Sequence, residues 1–415
     1  MLSRLARSYR DAYAGLPRPA WILALAVFVN RSGMMVLFFM TLYLTRELGY
    51  TVPQAGWVMS AFGLGSLLGT YFGGRLSDRL GAYTVQKLSL SGSGVLLILL
   101  SFPRSLLAIA ALMFLTATAS EALHPANATA YAQICPPELR PRGYALNRLA
   151  ANLGISIGPV VGGYLALWSY RALFWVDGIT GLAAAAIVFS VFPTAGPHGH
   201  GRPPSSGPAR SPWRDRVFLF FLVQVFGVAL VFSQFLSTFP LYMHEVYGLP
   251  ESRIGALVAV NTLLIVAVEM LLIHRLRNHP EALVAAVGAF FLCGGFALMP
   301  LGRSFGYAAA TVVVWTLGEM LASPTISTIA ANRADPASQG RYQGLFSLAF
   351  AVAMTVGPGL GTRIYSSLGP DVLWFGVGAM GVVIASGLAV VHRLMSRPEP
   401  GQPSTSRATG ATGGP

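Results

Sequence analysis

The stretch AVFVNRSGMMVLFF, residues 26–39, is almost entirely apolar but carries Asn30 and Arg31 near its centre. It lies within an apolar run, residues 20–46, that is long enough to cross a bilayer, since a transmembrane helix needs about 20 residues. An arginine that faces lipid halfway along such a helix costs at least about 2.5 to 3.5 kcal/mol. Arg31 is therefore predicted to face the interior of a helical bundle, beside water or a counter-charge.

The rest of the chain has the same apolar character. Of its 415 residues, 54% are hydrophobic and only 10% are charged, with a mean hydropathy of +0.60, which is too apolar for an ordinary soluble domain. The pattern predicts an all-α membrane protein with about twelve transmembrane helices. The predicted spans are residues 20–46, 53–76, 84–102, 105–134, 142–168, 171–193, 216–245, 252–275, 280–301, 305–332, 341–367 and 371–395.

The formal charge of +13 has a distribution that predicts orientation rather than nucleic-acid binding. With an even number of spans, both termini lie on one side, and the loops on that side hold most of the basic residues. The opposite loops offer only Arg46, Arg104, Arg171, Arg253, Arg303 and Arg363. Because basic residues accumulate in cytoplasmic loops, we expect a multi-pass protein of the plasma (bacterial inner) membrane with both termini in the cytoplasm.

A polar segment divides the chain into two predicted halves. TAGPHGHGRPPSSGPARSPWRD, residues 194–215, is rich in Pro, Gly, Ser and Arg and is predicted to be a flexible cytoplasmic linker between six-helix halves at residues 1–193 and 216–395. Residues 396–415 are predicted to be a disordered tail. His198 and His200 have no nearby Cys or carboxylate to complete a metal site, so no metal or cofactor is expected.

The two halves repeat one another at a shift of about 200 positions. The shift superposes rare residues over the last three spans of each half: Pro125 on Pro324, Arg142 on Arg341, Gly158 and Pro159 on Gly357 and Pro358, Gly162 on Gly361, and Trp175 on Trp374, with Glu121 within one position of Glu319. The chain is thus predicted to be two pseudo-symmetric six-helix halves. Such halves can rock about their interface, so that a site between them faces each side of the membrane in turn.

The first loop on the terminus side reads GGRLSDRLGAYTVQK, residues 73–87. Asp78 and Arg79 form a charged pair at a helix end that can latch in one conformation and open in another. The segment resembles the loop signature of the major facilitator superfamily, G-x-L-a-D-r-x-G-r-k, at Gly74, Leu76, Ser77, Asp78, Arg79 and Gly81. Ala82 and Tyr83 replace the basic pair of that signature.

The fifth span reads NLGISIGPVVGGYL, residues 152–165, in which small residues leave one helix face thin and Pro159 bends the helix. It resembles the antiporter signature g-x-x-x-G-P-x-x-G-G of the twelve-span drug/proton antiporters of the same superfamily. The match is complete at Gly154, Gly158, Pro159, Gly162 and Gly163. A purely packing role for these small residues is the alternative. Members of that group often carry an arginine in the fourth span, and residues 114–126 here contain none.

Several polar residues within spans are candidates for substrate binding or coupling. A glutamate that alternates between a buried site and an arginine can bind and release a proton near neutrality, and Arg31 with Glu121 is the preferred pair. A static ion pair that only joins helices is the alternative. Arg148 and Asn152 share one face of the fifth span and can extend the cavity, Arg148 also being suited to a gate, and Glu269 is expected at a gate or interface. The full set of candidates is Arg31, Glu121, Glu319, Asn30, Asp177, Arg148 and Asn152, with Arg142 and Arg341 as further gate residues.

The resemblance implies a monomeric secondary transporter that moves small amphiphilic or drug-like molecules outward in exchange for protons. Transport of short peptides or organic anions is the second possibility, because N-R-S-G-M in the first span loosely resembles the E-R-F pattern of proton-coupled peptide carriers. A membrane-embedded enzyme would need a nucleophile with a base or clustered metal ligands, which the seven His and two Cys do not form. A non-transporting receptor on a carrier scaffold is a third class.

Overall fold

The computed structural model describes residues 15–192, 211–276, 278–334 and 338–396, and within these ranges the chain forms twelve long helices and no strand. Eleven of the helices are long and apolar enough to cross a membrane. The exception is the second helix, which has 29 residues but many Gly, Ser and Thr among them. The helices are α1 (Arg18–Glu47), α2 (Val52–Leu80), α3 (Ala82–Leu100), α4 (Leu106–Ile134), α5 (Arg140–Trp168), α6 (Tyr170–Val191), α7 (Arg216–Glu245), α8 (Glu251–Leu276), α9 (Glu281–Ala297), α10 (Phe305–Asn332), α11 (Gln339–Ser367) and α12 (Pro370–Met395).

This architecture confirms the predicted fold class. Most of the predicted linker, residues 194–215, and of the predicted tail, residues 396–415, lies outside the described ranges, so their boundaries stay predictions. Where the chain is described again, Pro212–Arg214 forms a short 3-10 turn and Asp215 caps the first turn of α7.

The two halves cross one another at two equivalent places, α2 against α11 and α5 against α8. At the first crossing a Cβ on Gly56 would lie 3.0 Å from the carbonyl oxygen of Pro358, and at the second a Cβ on Gly255 would lie 2.1 Å from that of Pro159. Gly56 and Gly255 are 199 positions apart, as are Pro159 and Pro358. The internal repeat therefore places the same backbone-on-backbone contact on both sides of the interface.

The halves are joined most tightly at the face away from the termini. Because the number of crossings is even, the start of α1 and the end of α12 lie at one face of the bundle, which we call the terminus face. At the opposite face, the rings of Phe38 on α1 and Phe235 on α7 meet edge to face at 5.5 Å. Glu251, at the start of α8, accepts hydrogen bonds from Tyr170 at 2.6 Å and from Arg46 at 3.3 Å. Both donors belong to the first half, so this buried carboxylate closes the opposite face.

Toward the terminus face the recorded contacts between the halves are sparse. Arg148 on α5 pairs with Glu269 on α8, and the Arg148 side chain is still 54% exposed, whereas that of Glu269 is 8% exposed. The His124 side chain, near the middle of α4, is 58% exposed. The accessible side chains of His124 on α4 and Arg148 on α5 indicate a cavity between the halves. This cavity opens to the terminus face and is closed at the opposite face.

A prediction follows for the crossing of α5 and α8. Gly255→Ala places a methyl group against the Pro159 carbonyl, and backbone atoms cannot move aside as a flexible side chain can. We expect destabilisation by about 1 to 3 kcal/mol, typical of overpacking, seen as a lower melting temperature by intrinsic tryptophan fluorescence in detergent. Gly294→Ala is the matched control, because nothing lies within 4 Å of its added Cβ. Equal melting temperatures for the two variants would contradict the close crossing.

A half-buried polar cluster stabilises the terminus face of the second half. Both carboxylate oxygens of Asp215 accept from the Arg333 guanidinium, at 2.8 and 3.1 Å, and one also accepts from the Tyr342 hydroxyl at 3.2 Å. Asp215 also accepts from the Phe218 N–H at 3.0 Å. Burial works to raise the pKa of Asp215, but these hydrogen bonds and the Arg333 charge together outweigh it and hold the pKa below its ordinary value.

This cluster predicts a pH-dependent contribution to stability. Because the folded pKa of Asp215 is lowered, its stabilisation is fully present above the unfolded pKa of about 3.9 and is lost as the pH falls through the folded value. We expect Asp215→Asn to destabilise the protein by about 1 to 3 kcal/mol at pH 7, and the difference from wild type to shrink in more acidic buffer. Thermal melting curves recorded from pH 7 down to the lowest pH at which the protein stays folded measure this difference. Glu138→Gln, which removes an exposed carboxylate at the same face, is the control. A pH-independent difference would exclude the charge as its cause.

Candidate functional site

The first half of the site is organised by a break in α1. The helix stops at Ser32 and resumes at Val36, and a Cβ on Gly33 would lie 1.7 Å from the Thr180 hydroxyl of α6, so only glycine fits this approach. The backbone N–H groups freed by the break, those of Met35 and Val36, both donate to one carboxylate oxygen of buried Asp177 at 3.3 Å. Asp177, a predicted site residue, thus caps the second segment of α1.

The glycines of the antiporter-like signature hold α5 against this break. Gly154, Gly158 and Gly162 recur at every fourth position, and a Cβ on each would lie 2.6 to 2.8 Å from α1, at Arg31, Met34 and Met35 respectively. Gly163 faces the other way, where an added Cβ would lie 2.4 Å from the Glu251 carbonyl oxygen of α8. The glycines of the signature therefore allow α5 to pack closely against α1 on one side and against α8 of the second half on the other. The contact with α1 sets the position of the Arg31 backbone.

Arg31 reaches a polar group on α4. Its Nη2 lies 3.0 Å from Nε2 of His124, and that same Nε2 lies 3.4 Å from Oε2 of Glu121. Nη1 of Arg31 contacts the Met34 sulfur at 3.2 Å. The Arg31–Glu121 pair expected from sequence is therefore bridged by His124 in the structure, since His124 follows Glu121 by three positions and lies on the same helix face.

A second polar cluster lies in the other half. Nδ2 of Asn261 on α8 donates to Oε2 of Glu319 at 2.9 Å and lies 3.0 Å from the Thr316 hydroxyl, both residues belonging to α10. Asn261 is buried and Glu319 half-buried. The cluster therefore offers one carboxylate to the interior, held by a neutral amide rather than by a cation. Glu319 and Glu121 occupy nearly equivalent places in the two halves, but their partners differ.

Arg148 on α5 and Glu269 on α8 form an ion pair that joins the two halves. Arg148 was expected to extend the cavity or serve a gate and Glu269 to lie at a gate or interface, and the structure brings them together. Asn30 and Asn152 are half-buried, and neither side chain hydrogen-bonds to another residue of the described ranges. Amide groups in this situation are available to a bound molecule.

The wall above these clusters, toward the opposite face, is apolar and aromatic. Phe38 of α1 faces Phe235 of α7, whose ring in turn lies 5.0 Å from that of Trp315, and Met34 packs against the same apolar core. Gln234 of α7 donates to the Gly357 carbonyl of α11 at 2.9 Å. Methionine and aromatic side chains adapt to differently shaped ligands. The cavity therefore has charged groups toward the terminus face and a deformable apolar surface toward the opposite face.

The loop signature lies at the terminus face. Gly81 has φ of +86°, which favours glycine, and the neighbouring Gly73 packs on the α4 break, where a Cβ would lie 2.5 Å from the Ala122 Cα. Gly74 has more room, with Pro125 at 3.9 Å. Asp78 and Arg79 are both exposed, and neither forms an ion pair within the described ranges. The proposed gate residues Arg142 and Arg341 are exposed at the starts of α5 and α11.

His124 is the residue that the sequence analysis did not single out. Its signal was present, since it follows Glu121 by three positions and such residues lie on one helix face. Its proximity to Arg31 depends on how α4 packs against α1, which no local pattern shows. Among the residues that the structure describes, His, Cys, Asp and Glu form no group of three or more that could hold a metal ion.

Comparison with known proteins places this geometry in a family. A sequence profile of the Major Facilitator Superfamily matches residues 23–358. The chain is 26% identical over 349 residues to the uncharacterised MFS-type transporter YttB of Bacillus subtilis (strain 168), covering 83% of this chain and 87% of that protein. It is 24% identical over 363 residues to the multidrug resistance protein MdtH of Proteus mirabilis (strain HI4320), covering 83% and 88%.

Solved structures share the fold at lower sequence identity. A crystal structure of a POT family transporter in complex with 5-aminolevulinic acid superposes with a TM-score of 0.80 at 16% identity, covering 93% of this chain and 98% of that one. Such a likeness extends to the fold alone. The profile match over most of the chain, together with twelve helices in two repeated halves around a polar cavity, shows that this protein is a transporter of the Major Facilitator Superfamily.

Proposed function

We propose that the protein is a proton-coupled exporter of small amphiphilic or drug-like molecules that works by alternating access. The observation that carries the proposal is the Arg31–His124–Glu121 cluster at an accessible cavity, beneath an apolar wall. Polar groups at this depth of a bundle are costly unless they serve transport or a fixed ion pair. The relatives named as multidrug resistance proteins support the drug-like substrate class.

The chemistry of coupling needs a group that binds a proton in one conformation and gives it up in the other. Glu121 and Glu319 are the carboxylates placed to do this, since each faces the interior and neither forms an ion pair with an arginine in the described ranges. Movement of one half against the other changes the distance between Glu319 of the second half and the cations Arg31 and Arg148 of the first half. A proton can then be exchanged for a substrate of matching charge.

The basic residues support an orientation with the terminus face in the cytoplasm, in the inner membrane of a bacterium. Within the described ranges, that face holds Arg18, Arg75, Arg79, Lys87, Arg140, Arg142, Arg214, Arg216, Arg275, Arg333, Arg341 and Arg393, against six arginines at the opposite face. The cavity then opens to the cytoplasm, where an exporter collects its substrate. One chain encloses the whole cavity, which supports a monomer as the working unit.

A second candidate is transport of short peptides or organic anions. It is favoured by the Arg31 guanidinium, which can bind a carboxylate, and by the charge of Glu319 in the opposite half, which can bind an ammonium group. The structural similarity to POT family transporters is in keeping with it but extends only to the fold.

Reconstituted liposomes test both candidates. Purified protein is placed in vesicles with an imposed pH gradient, and uptake of cationic drugs is compared with uptake of dipeptides. We expect the gradient to drive accumulation of drug-like cations. Accumulation of dipeptides alone would favour the second candidate, and transport indifferent to the gradient for every substrate would exclude proton coupling.

Variants at Arg31 link the result to the site. Arg31→Ala should abolish transport in this assay, and Arg31→Lys, which keeps the positive charge, should keep part of it. Normal transport by both variants would show that Arg31 has no role in the mechanism.

The loop signature has a place in the same cycle. The α2–α11 contact runs antiparallel, with Ser60 accepting from the Gly359 N–H at 3.2 Å and Gly63 lying against Met354. Continuing this register by about fifteen residues, one for one along two straight helices, brings Asp78 level with residue 339, in the first turn of α11 beside Arg341. We propose that Asp78 pairs with this helix start when the terminus face closes.

Charge reversal tests the proposed latch. Asp78→Arg should lower transport by about tenfold, since it places like charges together in the closed state. The double variant Asp78→Arg with Arg341→Asp should recover a large part of the loss. The measurement is the initial rate of uptake in the liposome assay, with Glu138→Arg as a control for added charge at the same face. A double variant no better than Asp78→Arg alone would contradict the pairing.

A further inference from the structure

We propose that His124 is the residue through which proton binding rearranges the cavity, by exchanging Arg31 for Glu121 as the partner of its Nε2 atom. The inference rests on the proposed proton-coupled transport and adds His124 to the carboxylates Glu121 and Glu319 as a group that binds a proton in the cycle. Its basis is a geometric conflict in the structure. Nε2 lies 3.0 Å from Arg31 Nη2 and 3.4 Å from Glu121 Oε2, so one ring nitrogen lies within reach of a donor and of an acceptor.

A single imidazole nitrogen cannot serve both neighbours at once. When the ring is neutral with its hydrogen on Nδ1, the lone pair on Nε2 accepts an N–H of Arg31. When a proton binds to Nε2, that lone pair is used, the ring becomes a cation, and Nε2 donates to Glu121 instead. The guanidinium is then repelled by the imidazolium and is free to leave. Binding and release of one proton therefore switch the ring between two partners.

The switch acts on two interrupted helices. Ala122 separates the two segments of α4, with Glu121 before it and His124 after it. A stronger contact between these two side chains therefore changes the angle between the two segments. Arg31 lies just before the interruption of α1 that starts at Gly33. The segments beyond are anchored, since Asp177 holds the second part of α1. Release of Arg31 therefore frees the first part of α1 with respect to α4.

Four further charged groups on the surrounding helices contact other partners than His124. The Arg75 guanidinium of α2 lies 4.2 Å above the Tyr71 ring, Lys87 of α3 donates to the Phe192 carbonyl at 2.7 Å, and Asp177 of α6 accepts from the α1 backbone. Arg148 of α5 pairs with Glu269 of α8. Within the described ranges, Arg31 and Glu121 are the charged groups at hydrogen-bonding or ion-pairing distance from the ring. The side chain is also 58% exposed to the cavity, which gives protons a path from water.

The first test is independent of any substrate. Cysteines replace Glu138 and Asn278, exposed positions near the terminus-face ends of α5 and α8, and carry nitroxide labels; native Cys135 and Cys293 are buried. Pulsed electron paramagnetic resonance measures the distance between the two nitroxide labels in nanodiscs at pH 8 and at pH 5. We expect the wild-type distance distribution to change with pH, and His124→Gln to reduce that change by about tenfold. The matched control His279→Gln, an exposed histidine outside the cavity, should behave as wild type.

Further variants separate the switch from loss of folding. His124→Arg carries a permanent charge and should give the low-pH distribution at both pH values, so it remains informative if the glutamine variant is unstable. A wild-type pH response that survives in His124→Gln, or a wild-type protein with no response, would overturn the inference.

Uptake in liposomes then separates this inference from the proposed function. If the distance responds through His124 but transport ignores the pH gradient, proton-coupled export fails and the switch stands. If transport follows the gradient equally in wild type and His124→Gln, export stands and the switch fails. In the expected result, His124→Gln loses gradient-driven accumulation and retains exchange of labelled for unlabelled substrate at equal pH, because exchange needs no net proton movement.

Discussion

A permanent positive charge within an apolar bundle is the constraint around which the first half of this protein is built. The Arg31 guanidinium cannot lose its proton, so the surrounding helices must supply what water otherwise would. They do so with polar groups on α4 and α6. An imidazole and a carboxylate of α4 lie beside the arginine, and the backbone groups exposed at the break in α1 are bonded to Asp177 of α6.

The two halves share their helix-packing contacts but differ in their polar residues. The helix crossings at Gly56 and Gly255, and the glycines at 158 and 357, use the same contacts in both halves. Yet 199 positions after Arg31 the second half has Leu230, and its carboxylate Glu319 is held by an amide. Repeated small residues keep the halves able to move as similar bodies, while the polar groups within each half are free to specialise.

Much of the fold was predictable, because a bilayer imposes a simple rule on composition and length. The twelve spans, the repeat, and the clustering of glycines in α5 all follow from residue type and spacing. The partner of Arg31 did not, since a helix interruption depends on tertiary contacts such as Gly33 against Thr180. The Arg148–Glu269 pair was anticipated only as two separate gate residues, because sequence gives the depth of each residue but not the rotation of one helix against another.

The unusual composition of α2 bears on how the protein is made. This helix, Val52–Leu80, falls short of the hydropathy that the other eleven long helices reach, and glycines line its contacts with α4 and α11. A translocon inserts segments largely by their hydrophobicity, so α2 gains less than its neighbours from entering lipid alone. Its glycine face at 65, 69 and 73 is covered by α4, which emerges from the ribosome soon afterwards, whereas α11 arrives only near the end of synthesis. Stable insertion of α2 therefore depends on helices that the ribosome has yet to deliver.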